Sequence, residues 1–234
     1  MNQLTVFAKY PAPGMVKTRL STAIGAEQAA ALARAMLICT LDRFAAASSR
    51  PTVACDPPET LRDFQSLVGD RWRLTPQSTG DLGQRLANHF DGAFATGVEK
   101  VVVIGADSPT LPVANVEDAF RRLAKAAVVL GPSDDGGYYL IGASRETPPV
   151  FANIDWSTPR VWSQTVNQLQ SAGIPYSVLP RWHDIDDATD LERLTTELES
   201  LAGDMAPSLI ELRSLVRQLS PRPTLSTDRR AAER

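Results

Sequence analysis

With 234 residues, 43% of them hydrophobic and 22% charged, the chain has the size and composition of a soluble globular protein with one large core. A net charge of −3 argues against a nucleic-acid partner, so any basic site must be local. Cys39 and Cys55 lack metal-ligand spacing, His89 and His183 cannot make a histidine-rich metal centre, and no apolar run approaches the roughly 20 residues of a membrane span, so a cytoplasmic protein with reduced, buried thiols is expected.

The first predicted strand is Leu4 to Ala8, short and apolar. It runs into KYPAPGMVKTRL, residues 9–20, where Pro11, Pro13 and Gly14 exclude helix and leave a loop beyond a strand end. Lys9, Lys17 and Arg19 supply three cations there, Thr18 a hydroxyl, and Gly14 a point of close backbone approach. That combination suits a polyphosphate, although the G-x-x-K-T-R spacing is not a Walker A loop. A solvated basic loop is the alternative.

A long helix is expected over 26–47, with Ala29, Leu32, Ala33, Met36, Leu37 and Leu41 on its core face. A strand over 51–55, a helix over 60–67 and a weaker strand over 72–75 follow. Gly80-Asp81-Leu82-Gly83-Gln84-Arg85 then forms a turn that opens a helix reaching about Phe94. The N–H groups at its start can receive an anion or a base edge. A plain Asp81 N-cap accounts for the same residues.

Lys100 to Pro112, KVVVIGADSPTLP, is the stretch around which the rest is arranged. Val101 to Ile104 read as a strand buried on both faces. Ligands of open α/β sheets bind beyond the carboxyl ends of such strands, and Asp107 falls there, where a carboxylate can hold Mg²⁺ against phosphate. Asp107 can equally cap the helix expected over 116–125. Another buried strand, 127–131, leads into Pro132-Ser133-Asp134-Asp135-Gly136-Gly137, and Tyr138 to Ile141 returns as a strand. Asp134 and Asp135 either form a turn or, with Asp135 beside two glycines, bind substrate hydroxyls and assist acid–base chemistry. Beyond Asp155-Trp156, Ser157 or Thr158 is expected to cap a helix with Pro159 in its first turn, running to about Ala172. A late strand, 176–179, reaches the acid cluster Asp184, Asp186, Asp187 and Asp190. These four repel one another unless solvent or a cation relieves them, so one acid holds a metal or the segment is a solvated turn capped by Asp187. Helices over 188–201 and 207–219 precede a polar, proline-bearing stretch expected to be disordered. Alternating strands and helices imply a largely parallel sheet covered on both faces.

Six segments, FAKYPAPGMVKTRL, GDLGQRL, VIGADSPTL, GPSDDGGYYLIG, IDWSTP and DIDDATDL, resemble in this order the bacterial glycosyltransferase-like proteins of the nucleotide-diphospho-sugar transferase superfamily. The 2-phospho-L-lactate guanylyltransferases resemble the chain as functional relatives. The resemblance implies an α/β class, three-layer α/β/α Rossmann-like GT-A fold with a mostly parallel sheet. It implies such a domain over 1–203, a C-terminal helical extension over 204–220 and a disordered tail over 221–234.

The resemblance also assigns roles. Ala8, Lys9, Gly14, Lys17, Thr18 and Arg19 would surround nucleotide phosphates, with Gly80, Asp81, Gly83 and Gln84 near the base. Asp107 and Asp186 would hold Mg²⁺ or Mn²⁺. Asp135, Gly136, Gly137 and Trp156 would meet the second substrate, and Lys17, Arg19 and Asp135 would act in catalysis. Residues 186–191 read DDATDL where a D-T-P-E-D-L-like segment is common, which makes Asp184 a rival metal ligand. The first loop also lacks the G-x-G-T-R form of sugar pyrophosphorylases. The implied activity is metal-dependent transfer from a nucleoside triphosphate or nucleotide sugar to a small-molecule acceptor, glycosyltransferase-like. Nucleotidyl transfer with pyrophosphate release and a catalytically silent nucleotide-binding regulator are its rivals. No interface pattern indicates an oligomeric state.

Overall fold

The computed structural model describes residues 1–201 and 205–219. Among the described residues seven strands make one sheet: β1 (Asn2–Lys9), β2 (Arg50–Asp56), β3 (Arg73–Pro76), β4 (Lys100–Gly105), β5 (Val128–Pro132), β6 (Tyr138–Ser144) and β7 (Tyr176–Val178). Their spatial order is β3-β2-β1-β4-β6-β5-β7. Only β6 runs antiparallel to its neighbours, β4 and β5. The reason is local. Ser133 to Gly137 is too short for a crossover, so β5 and β6 must form a hairpin, whereas the parallel pairs are joined through helices.

The described helices are α1 (Thr18–Ile24), α2 (Ala26–Phe44), α3 (Leu61–Val68), α4 (Leu82–Ala95), α5 (Val113–Arg122), α6 (Val161–Ser171), α7 (Ala188–Ser200) and α8 (Pro207–Leu219). On one face of the sheet Leu4, Val6, Val53, Val102, Ile104 and Leu140 meet Leu37, Leu41 and Phe44 of α2, Phe64 of α3 and Phe120 of α5. On the other face Val101, Val103, Leu130 and Ile141 meet Leu86 and Phe90 of α4 and Leu169 of α6. Strand β4 thus sends alternate residues to two cores, which explains its unbroken apolar run. A third cluster joins α1 and α2 to α7 and α8 through Leu20, Met36, Leu194, Leu198 and Leu212. Three layers and a mostly parallel sheet agree with the expectation. Among the described residues no helix is long and apolar enough to cross a membrane. The tail expected over 221–234 and the boundary expected at 203–204 lie outside the described residues.

Three local expectations are corrected. Helix α1 starts at Thr18, inside the stretch read as helix-free, because the breakers Pro11, Pro13 and Gly14 all precede it. Helix α6 starts only at Val161, after Arg160, with no side-chain cap. Ser157 has φ 63°, and Thr158 Oγ1 donates to the Asp155 carbonyl at 2.7 Å, so both belong to a turn that delays the helix. Trp72, read as the start of a strand, lies just before β3 and is buried, its Nε1 donating to the Leu41 carbonyl at 3.2 Å. Both cysteines are free and buried.

Phe90 is fully buried and stacks on Phe151 with centroids 5.6 Å apart. Phe90→Ala is expected to destabilise the fold by about 3–5 kcal/mol. Urea unfolding followed by circular dichroism should show a lower midpoint with an unchanged slope.

Candidate active site

The carboxyl ends of β1 and β4 lie side by side, Val6 pairing with Ile104 and Phe7 with Gly105. Asp107 follows β4 and does not cap α5, which begins six residues later behind Pro112. Its carbonyl accepts from the Ile185 N–H at 3.0 Å. That bond brings the late acid segment against the central strand. Asp187 is the N-cap of α7, accepting from the N–H groups of Thr189 and Asp190 at 2.9 and 3.1 Å. Asp190 reaches back and accepts from the N–H groups of Asp186 and Asp187. Two acids of the cluster are therefore spent on starting α7. The other two, Asp184 and Asp186, have side chains directed toward the β1 and β4 loops.

Lys17 completes the arrangement from the first loop. Its backbone is left-handed (φ 48°, ψ 44°) at the start of α1. Its ammonium is only 5% exposed and pairs with Asp107 and, at 2.9 Å, with Asp186 Oδ1. Arg19 binds the other oxygen of Asp186 at 2.8 Å from a largely exposed position. Burial works against the charge on Lys17, but the Asp107 and Asp186 carboxylates outweigh it and hold the pKa above the usual lysine value. Ser108 Oγ donates to Asp184 Oδ1 at 2.5 Å. Burial and then Asp107 push the Asp184 pKa up to about 6, with Asp186 and Asp135 adding to the effect and Ser108 opposing it. Three carboxylates thus act on Asp184, while Lys17 and Arg19 pair with Asp107 and Asp186. Phe7, Lys9, Met15, Lys17, Asp107 and Asp186 line a cleft of about 220 Å³.

The β5–β6 turn forms the next wall. Asp135 Oδ1 accepts from the Ser133 hydroxyl and, at 2.9 Å, from the Gly137 N–H. Gly136 has φ 89° and lies against Pro159, where a Cβ would come within 2.4 Å of the carbonyl oxygen. Asp134 turns away to Arg193 of α7 at 3.0 Å. Beneath it, His183 Nε2 lies 2.9 Å from Glu197, whose other oxygen accepts from Thr110 at 2.7 Å. Burial raises the Glu197 pKa, but His183, Thr110 and Arg193 more than reverse this and leave it lowered.

The Gly80–Arg85 turn stands apart from the acids. Asp81 and Gln84 form a reciprocal cap at 2.8 and 3.1 Å. A Cβ on Gly83 would come within 2.5 Å of Trp156 Nε1, so the first turn of α4 is seated on that indole. Trp156 in turn meets Tyr138 edge-on at 6.3 Å. The Gly80 carbonyl accepts from Arg85, which also pairs with Asp56 at 3.1 Å. Ala8 is buried, Gly14 lies on an exposed turn with φ 73°, and Thr18 opens α1.

The structure therefore brings Lys17, Arg19, Asp107 and Asp186 into direct contact, with Asp135 and Asp184 coupled to them by charge. It leaves Asp81 and Gln84 bonded to each other, Gly80 bonded to Arg85 and Gly83 packed against Trp156. Sequence reading passed over Ser108, Glu197, Arg193 and the Arg85–Asp56 pair. Only Ser108, next to Asp107, carried a visible signal. Among the described residues no three His, Cys, Asp or Glu side chains converge into a metal cage. Asp107 and Asp186 fit instead a hard cation that takes one or two carboxylates and completes its shell with phosphate and water.

Because the native pKa of Asp184 lies above its ordinary 3.8, the folded state holds the proton more tightly. The carboxyl therefore favours folding least above about pH 6, and this penalty fades as pH falls toward 4. With a chelator present, Asp184→Asn should melt higher than the parent at about pH 8, the two converging near pH 4. Thermal melts across that range check it, and a pH-independent difference would reject the titration.

Residues 40–158 match the family described as an uncharacterized protein conserved in bacteria, DUF2064. A solved structure from Desulfovibrio desulfuricans G20, provisionally described as a nucleotide-diphospho-sugar transferase, is 32% identical. The match covers 93% of this chain and 97% of that one, with a TM-score of 0.83. CMP:2-keto-3-deoxy-manno-octonic acid synthetase in complex with CTP is 13% identical at a TM-score of 0.54, covering 82% of this chain and 96% of that one. A cytidylyltransferase from Leptospira borgpetersenii serovar Hardjo-bovis (strain JB197) is 11% identical at 0.52, covering 93% and 94%. At those identities the last two speak for the fold alone. No curated protein matches the chain. Matched over half its length by the family, and over nearly all of it by a 32% identical structure, the chain belongs to the DUF2064 family within the nucleotide-diphospho-sugar transferase superfamily.

Proposed function

We propose that the chain is a metal-dependent transferase that takes a nucleotide-activated donor, a nucleotide sugar first, and passes its sugar to a small-molecule acceptor in the cytoplasm. The observation that carries this reading is the buried Lys17 ammonium, clamped by Asp107 and Asp186 at the carboxyl ends of β1 and β4. A buried ammonium so placed meets growing negative charge without reorganising. In the reaction the acceptor oxygen bonds to the anomeric carbon, the bond from that carbon to the phosphate oxygen breaks, and a nucleoside diphosphate leaves. Lys17 and Arg19 take up the charge on the departing phosphate oxygens. Asp135 keeps Oδ1 in its turn, and its second oxygen orients the acceptor hydroxyl or takes its proton. Trp156, half-buried and edge-on to Tyr138, offers a sugar ring an aromatic surface. Mg²⁺ or Mn²⁺ on Asp107 and Asp186 would neutralise phosphate charge. The relative from Desulfovibrio desulfuricans, by the description it carries, favours a sugar nucleotide.

Nucleotidyl transfer is a second reading. There a phosphorylated acceptor attacks the α-phosphorus of a nucleoside triphosphate and pyrophosphate leaves. Such an acceptor is already anionic and needs no base, which suits an Asp135 half engaged in a turn. The fold shared with two cytidylyl-transferring proteins is compatible with it. A silent nucleotide-binding regulator would form neither product.

Incubation with Mg²⁺ or Mn²⁺, nucleotide sugars, nucleoside triphosphates and phosphorylated or hydroxylated acceptors separates these readings. Nucleoside diphosphate release is expected; pyrophosphate release would select the second reading, and binding without product would reject both. Lys17→Met should lower kcat by about 100- to 1000-fold while circular dichroism stays unchanged. Full turnover in that variant would remove Lys17 from the mechanism.

A further inference from the structure

A second cavity lies on the sheet face that carries α4. Strands β1, β2 and β3 present polar residues there: Gln3 pairs in register with Arg50, Thr5 with Thr52, and Thr52 with Arg73. Their apolar neighbours Leu4, Val6 and Val53 point into the opposite core. Helix α4 answers with a polar and small stripe. Asn88, His89, Gly92 and Thr96 face the groove, while Leu86 and Phe90 fill the core beside it. The groove encloses about 360 Å³, within the range of small-ligand sites.

Its chemistry is one-sided. Arg50, Arg73 and Arg85 line it, and no Asp or Glu among the described residues does. Arg85 is paired with Asp56 and Arg50 donates to the Thr96 hydroxyl at 2.7 Å. Arg73 makes no ion pair with any described residue. The floor is built rather than incidental. Gln3 and Thr52 are 3% and 4% exposed, and Gln3 Nε2 donates to Thr5 Oγ1 at 3.1 Å. Thr5 Oγ1 lies 2.8 Å from His89 Nε2, and burial pushes the His89 pKa down to about 4, so the ring is neutral at physiological pH. A cavity floored by hydrogen-bonded amides and hydroxyls, with a free guanidinium at its rim, recognises a phosphate attached to a hydroxyl-bearing body.

We propose that this groove is a second ligand site, for a small sugar phosphate, separate from the acid cluster. Arg50 and Arg73 are the first residues of β2 and β3, and although the groove runs on to Gln77, Ser78 and Arg85 at the other end of the sheet, it shares no lining residue with the cleft of Lys17, Asp107 and Asp186. The phosphate is held by Arg73 and Arg50, and the sugar hydroxyls by Gln3, Thr52 and Asn88. The site stands whether or not the transferase reading holds.

A Cβ on Gly92 would meet nothing within 4 Å, so Gly92→Leu extends into the cavity without a backbone clash. Replacing a glycine in the last turn of α4 also favours the helix, so this variant is expected to fold. Isothermal titration of the full chain with ribose 5-phosphate and glucose 6-phosphate should show saturable one-site binding by at least one of them. Gly92→Leu should abolish it, Arg73→Ala should weaken it at least tenfold, and Lys17→Met should leave it intact. Binding that survives Gly92→Leu and Arg73→Ala, or that is lost in Lys17→Met, would overturn the proposal. So would no binding at millimolar concentration, or equally tight binding of inorganic phosphate, which would reduce the groove to a charge patch.

Discussion

One buried ammonium ties together the three parts of the chain that make the candidate site. Lys17 comes from the loop after the first strand, Asp107 from the end of the central strand, and Asp186 from the approach to α7. Strand pairing and the bond from Ile185 to the Asp107 carbonyl bring these segments together, and this charge joins their side chains. The left-handed backbone at Lys17 shows that the arrangement is over-determined, because a lysine seldom adopts it without compensation. Asp184 sits in the same crowd, where burial and the neighbouring carboxylates raise its pKa. A site that holds more negative charge than its cations neutralise is prepared for further positive charge, which is the physical reason to propose a metal there.

The supports behind this contact are arranged to keep it rigid. The Asp107 carbonyl fixes Ile185, the reciprocal Asp187–Asp190 cap sets the start of α7, and Glu197 gathers Thr110 and His183 one helix face away. Arg193 joins the same helix to Asp134 in the β5–β6 turn. Helix α7 is thus bound at several points to the two loops that carry Asp107 and Asp135. Positions that donate or accept through the backbone are less sensitive to side-chain replacement than the acids they aim.

Much of this organisation is legible in the residues alone. The apolar run of β4, the long stripe of α2 and the span of α8 follow directly from periodicity, and Asp187 capping α7 follows from side-chain chemistry. Other features are not local and could not be read that way. Nothing near Lys17 in sequence says that its ammonium is buried, since its partners lie 90 and 169 residues away. The late start of α6 reflects a turn in which Ser157 takes a positive φ, a conformation that serine rarely signals. The polar face of β1 to β3 was present as Gln3, Thr5 and Thr52 alternating with apolar neighbours. Its meaning depends on the small stripe of α4 opposite, which only the packing reveals.

The reversed direction of β6 has an architectural consequence. Lys100 pairs with Ser144 and Ile104 with Leu140, so β6 begins at the chemical end of the sheet and finishes at the far one. Residues 145–160 must therefore travel back along the molecule before Trp156 can reach Tyr138 and Gly83. That return strap is anchored by Val150 and Phe151 in the core beside α4. Its length and composition are free of the strand register, so the strap can change without disturbing the sheet that it crosses.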